Sequence, residues 1–108
     1  MEKDIELMQE KDIERKLKKE VEKRNGVCWK FLSSIAGVPD RLCLFEGGII
    51  VFVELKRHGA HPRPLQNRII GKIRELGFRV EVIDSEEGIR ELMTSLEEGK
   101  KRKKDETK

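Results

Sequence analysis

Apolar bulk is scarce in this chain: aromatic side chains make up 5% of its 108 residues, whereas charged ones make up 42%. That scarcity excludes a large multi-layered protein and leaves one compact domain with a modest core, its apolar residues concentrated between Val27 and Leu96. The only cysteines, Cys28 and Cys43, show no CxxC spacing and have no histidine at a zinc-ligand interval. A zinc ribbon or disulfide framework is thereby excluded, and a reduced, intracellular protein is expected. No run of 18 apolar residues occurs, so no membrane-spanning helix is expected. The charged stretch from Glu2 onward is unlike a secretory signal, and the expected location is cytoplasmic.

Positive charge is also thinner than the formal net value of +3 suggests. Residues 100–108 hold six Lys or Arg against Asp105 and Glu106, a local +4, so the other 99 residues carry −1 (+3 less +4). Such a basic end reads as a solubilising, disordered tail, placed at 100–108 beyond a domain spanning 1–99. General basicity therefore makes no case for nucleic acid. Any such case rests on the middle of the chain.

The middle is well patterned. Residues 4–24 are rich in Glu, Lys, Ile and Leu, with Ile13, Leu17 and Val21 at i, i+4 and i+8. This predicts an amphipathic helix, frayed in its first turns and ending near Asn25-Gly26. Residues 27–32 alternate as a strand does, with Val27, Trp29 and Phe31 on one face. Two further β-rich runs, 41–45 and 49–56, flank Glu46-Gly47-Gly48, a hairpin signal because glycine supplies positive φ. A three-residue loop at 46–48 sets Asp40 opposite Glu54. A two-residue loop would throw Asp40 onto the other face, since side chains alternate with period two; the three-residue loop is the expectation.

Residues 49–53 are apolar throughout, predicting a central strand covered on both faces. Gly59 and Pro62 mark 57–63 as a loop, and Pro64 suits the first turn of a helix with Leu65, Ile69, Ile73 and Leu76 inward until Gly77. Residues 78–83 form a strand. Asp84 with Glu87 reads as a capping box opening a last helix with Ile89, Leu92, Met93 and Leu96 inward. The order αβββαβα gives an α/β fold, a mixed central sheet flanked by helices.

In that register Asp40, Glu54 and Lys56 project from one face at one edge of the sheet. Two adjacent carboxylates repel, and neither has a dedicated Arg partner in the local pattern, so a divalent cation is the natural neutraliser. Hard oxygen ligands suit Mg²⁺ or Mn²⁺, with the Leu55 backbone carbonyl as a further ligand. Lys56 then sits where it can orient or help deprotonate an attacking water and offset charge growing on phosphorus. That is a phosphodiester-hydrolysis site. The alternative is a surface salt bridge worth about 0–1 kcal/mol. Against it, Glu54 and Lys56 end the most apolar strand, where an apolar side chain would fill a structural role more cheaply.

Pro39-Asp40 followed by Glu54-Leu55-Lys56 resembles the PD-(D/E)xK nuclease motif. More narrowly, Gly37-Val38-Pro39-Asp40-Arg41, then Phe52-Val53-Glu54-Leu55-Lys56, then Gln66 resembles the VRR-NUC family of virus-type replication and repair nucleases, over about 14–87. The resemblance implies a restriction-endonuclease-like core. It also implies a catalytic and metal-binding acidic residue on the first helix, where Glu14 matches best and the helical wheel leaves Glu10 and Glu20 open. Gln66 is implied as a site residue holding a water, a phosphate or the lysine, unless it is an ordinary exposed glutamine. Arg41, within the family signature, is implied as a phosphate or structural contact.

Lys30, Arg57 and Arg63 are further candidates for DNA phosphates, while His58 and His61 read as incidental loop residues. The leading reading is an Mg²⁺- or Mn²⁺-dependent DNA endonuclease, with branched substrates such as flaps or four-way (Holliday) junctions suggested by the resemblance. A non-catalytic DNA-binding module of the same fold is the alternative, and an interaction protein using the basic tail a third. So short a chain has little surface for a long duplex, so a homodimer is expected, which favours the four-way junction.

Overall fold

In the computed structural model, which describes residues 9–106, the elements come in the expected order. They are α1 (Glu10–Lys23), β1 (Val27–Lys30), β2 (Arg41–Phe45), β3 (Ile49–Leu55), α2 (Pro64–Glu75), β4 (Arg79–Ile83) and α3 (Glu86–Glu106). One sheet runs β1-β2-β3-β4, with β1 and β4 at its edges. The first three strands are antiparallel neighbours and β4 lies parallel to β3. A tight turn cannot join parallel strands, so the chain crosses over between β3 and β4, and α2 is the crossover.

The hairpin has the three-residue loop. Phe45 faces Ile49 and Arg41 faces Val53, leaving 46–48 as the turn, with Gly47 and Gly48 at φ 85° and 75°. L side chains avoid those values, which is why glycine stands there. Cys43 and Phe45, with Ile49, Val51, Val53 and Leu55, therefore look into the core, and Leu42, Leu44, Ile50, Phe52 and Glu54 look the other way.

The core lies on one face of the sheet. Ile13, Leu17 and Val21 of α1, all 0% exposed, join Val51, Val53 and Leu55 there, and α3 adds Ile89, Leu92, Met93 and Leu96. Asn25, at φ 61°, takes the left-handed conformation that ends α1.

The opposite face is only partly covered, contrary to the expectation drawn from the apolar run 49–53. A helix of 12 residues is about 18 Å long, and α2 packs chiefly along β4. Its buried residue is Ile70, while Leu65 and Leu76, expected inward, are exposed. The gap is tiled by aromatic rings: Phe31 meets Phe52, and Phe52 meets Phe78, each edge to face with centroids 6.1 Å apart. Ile50, Phe78, Val82 and Trp29 stay open to solvent.

Two boundaries differ from the sequence pattern. The last helix is capped by Ser85, whose hydroxyl accepts the Gly88 N–H at 3.1 Å. Asp84, one residue too early to cap, instead accepts the Gly59 N–H at 3.0 Å and ties down the loop after β3. At the other end α3 does not break at Gly99 but continues to Glu106, so most of the expected tail is helical. Lysine and arginine are good helix formers, and their charges favour a helix C-terminus. The frayed turns expected over 4–8 lie outside the described residues. Among the described residues no helix is long and apolar enough to cross a membrane.

Candidate active site

The C-terminal end of β3 and the start of β2 meet at one end of the sheet. The pairing of Arg41 with Val53, extended by one step, sets Asp40 opposite Glu54. The β1–β2 ladder also reaches this row, since the Phe31 N–H donates to the Asp40 carbonyl at 2.8 Å. Beyond Arg41 the β2–β3 ladder changes character: the Leu55 N–H donates to the Asp40 side chain, Oδ1, at 3.3 Å. Lys56 N–H pairs with the Ile83 carbonyl, so alternation along β3 turns the backbone groups of Leu55 toward Asp40.

Glu54 is the most enclosed polar group here, 5% exposed. Burial, with the nearby charge of Asp40, pushes its carboxyl above the usual carboxylate range, against the opposing pull of Lys56 and Gln66. Lys56 Nζ lies 3.2 Å from Glu54 Oε2. The same oxygen accepts a hydrogen bond from Gln66 Nε2 at 3.0 Å. Gln66 is itself held, because its Oε1 accepts the Arg63 N–H at 3.0 Å in the first turn of α2. Its partner is thus Glu54 rather than the lysine, and one side chain both caps the helix and orients the carboxylate.

Asp40 has a partner that the sequence pattern hid. Arg41 Nη1 lies 3.1 Å from Asp40 Oδ2, and its Nη2 is paired with Glu14 Oε2. Strand parity sends Arg41 to the core face, yet at the end of the sheet its guanidinium reaches around to the aspartate. Arg41 is 6% exposed and links α1, through Glu14, to the β2 edge. Glu14 is thereby joined to Asp40 through the Arg41 guanidinium. The reading that neither carboxylate has a dedicated Arg partner is corrected for Asp40, which has Arg41.

Gly37 brings the two halves of the site together. At φ 89° a side chain would be strained, and a Cβ there would meet Ile69 Cγ1 at 3.1 Å and Leu65 at 3.3 Å. The loop before Asp40 therefore lies directly on α2, next to Gln66. Lys30 is exposed on β1 opposite Arg41, and Arg57 and Arg63 are exposed at the two ends of the loop joining β3 to α2. His58 and His61 are exposed in that loop and make no contact with the carboxylates. Among the described residues no group of three or more His, Cys, Asp or Glu is arranged to hold a metal ion; the carboxylates of Asp40 and Glu54 lie near enough for the charge of one to act on the other.

No family model matches the chain. A curated protein named "Putative nuclease p44", from Acyrthosiphon pisum secondary endosymbiont phage 1, is 42% identical over 66 residues, 60% of this chain and 71% of that protein. A solved structure described as "VRR_NUC domain" superposes with a TM-score of 0.75 at 28% identity, covering 81% of this chain and 96% of that one. The likeness takes in almost the whole of the solved domain, not a shared helix and hairpin alone.

Proposed function

The chain belongs to the VRR-NUC family of nucleases, and from that premise we propose that it is a divalent-metal-dependent DNA endonuclease whose catalytic centre is Asp40, Glu54 and Lys56. One observation carries the reading. Glu54 is buried at the end of an apolar strand, in a setting that disfavours its charge, beside a second carboxylate. A structural role gains nothing from that arrangement, whereas a site that receives a cation needs it.

Mg²⁺ or Mn²⁺ fits the donors, because such ions bind through one or two carboxylates, keep several waters and do not require an all-protein cage. Asp40, Glu54 and the Leu55 carbonyl would hold it. When bound, it would neutralise phosphate charge and raise the acidity of the attacking water. Lys56 offers a proton-bearing ammonium at Nζ that orients the water and offsets charge on the phosphoryl oxygens. Gln66 keeps Glu54 aimed, and Arg41 keeps Asp40 aimed and holds Glu14 at the rim. Lys30, Arg57 and Arg63 are placed to meet backbone phosphates. Branched DNA, flaps or four-way junctions, is the proposed substrate and a homodimer the proposed form; Ile50, Leu76 and Phe78, exposed at the end of the sheet away from the site, supply apolar surface for pairing.

The test is a labelled panel of single strands, flaps, nicked duplexes and four-way junctions, with Mg²⁺ or Mn²⁺ and the sedimentation size read at the same concentration. Cleavage is expected to stop in EDTA. Ca²⁺ is expected to support binding with little hydrolysis, since it is larger, looser in geometry and a weaker activator of water. Undiminished cleavage in excess chelator would refute the metal.

A further inference from the structure

An exposed tryptophan adjoins the carboxylates, and we propose that it is a stacking platform for an unpaired base of the DNA strand being cut. The proposal rests on the nuclease reading and adds what part of the substrate the enzyme selects. Trp29 faces Leu42 across the β1–β2 pair. Asp40 sits two residues before Leu42, opposite Phe31. Trp29 and Asp40 are thus diagonal neighbours on one face of an antiparallel pair, a spacing of roughly 7–8 Å that an aromatic side chain can bridge.

Trp29 is 57% exposed, and among the described residues the aromatic ring pairs are those of Phe31, Phe52 and Phe78, not of Trp29. More than half of the indole surface is therefore open beside the carboxylates, free to meet a ligand. The apolar surface continues toward the site: Leu32 and Ile35 are exposed in the loop leading to Asp40, and Leu65 is exposed next to Gln66.

The chemistry of the rim selects the occupant. Intact duplex presents phosphates and sugars outward and hides its bases, so apolar side chains beside the carboxylates would find no apolar partner on it. A strand with unpaired bases offers both a phosphate for the centre and, within the same nucleotide, a flat apolar ring for Trp29. Residues 1–99 carry a net −1, so the phosphate contacts of Lys30, Arg57 and Arg63 are local ones without a broad basic surface behind them, and stacking adds grip beside them. The enzyme then favours the unpaired nucleotides at flaps, frayed branch points and single strands over continuous duplex.

The chain has one tryptophan and no tyrosine, so indole fluorescence reads position 29 alone. The full chain is titrated in Ca²⁺ with an oligothymidylate single strand and with a blunt duplex of the same length. Saturable quenching by the single strand, and much less by the duplex, is expected. Trp29→Ala should lower the ratio of single-strand to duplex affinity, read by anisotropy of labelled DNA, about tenfold. Trp29→Phe should restore most of it. Absence of quenching, or an unchanged ratio in a folded Trp29→Ala variant, overturns the proposal. So does an emission blue-shift that grows with protein concentration without DNA, which would place the indole under a second copy of the chain. The two readings fail separately: loss of all cleavage on the panel with quenching intact removes the nuclease activity and leaves the base platform standing.

Discussion

Asp40→Asn and Glu54→Gln are each expected to reduce cleavage by more than about 10³-fold, a larger loss than removing one positioned donor, while leaving the fold in place. Each swap keeps size and shape and removes a charge that, in the proposed function, would bind the cation. In Asp40→Asn the new amide oxygen could still accept the Leu55 N–H, and in Glu54→Gln the new amide oxygen could still accept from Gln66, so the hydrogen bonds that fix the edge survive. Near-normal turnover by either variant, with normal metal dependence, would sink the site.

Glu54→Gln carries a second expectation, about stability. Because the native carboxyl holds its proton more tightly than the ordinary value of 4.5, ionising Glu54 works against folding. The contribution is fully present below the unfolded value and is lost as pH rises through the higher native one. Glutamine mimics the protonated form. In chelator at pH 7 the variant should melt no lower than the parent, and its advantage should shrink as pH falls toward about 4.5. A clearly lower melting temperature at pH 7 would show that the pairing with Lys56 outweighs burial.

Lys56→Met is expected to cost about 10²–10³-fold in turnover, roughly 2.7–4 kcal/mol. Methionine keeps most of the stem's length and apolar bulk, and the Lys56 N–H to Ile83 bond is backbone, so β3 should pack unchanged. What is lost is the ammonium beside Glu54 and the attacking water. DNA affinity should fall far less, because binding is shared among several phosphate contacts. The measurement pairs cleavage rate in Mg²⁺ with equilibrium binding of the same substrate in Ca²⁺. Equal drops in rate and affinity would make Lys56 a phosphate anchor only.

Much of the site was legible in the chain because the hairpin is short and its turn glycines are adjacent. Once the turn is fixed at three residues, period-two alternation alone places Asp40 and Glu54 on one face. The stripes Ile13, Leu17, Val21 and Ile89, Leu92, Met93, Leu96 were equally readable, since each is long enough to show helical spacing. Arg41 was not, because parity assigns it to the core face and only the end of the sheet lets a long side chain double back. The half-open second face was hidden for another reason: an apolar run reads the same whether a helix or a row of phenylalanine rings covers it. The Gln66–Glu54 bond joins residues on different elements, and spacing cannot reveal such contacts.

The strand order has a further consequence, for how the molecule behaves in company. With β1 and β4 at its borders the sheet has two edges on which another chain could add a strand, although on β4 the Val80 carbonyl is already taken by the Arg74 guanidinium at 2.7 Å. Both borders carry charge on the helix-covered side: Lys30 on β1, and on β4 Arg79 and Glu81, which pair with each other at 3.0 Å. A strand docking along either edge would have to crowd these charges, which discourages open-ended growth of a continuous sheet. Any association is thereby steered toward faces and helices, away from the end of the sheet that holds Asp40 and Glu54.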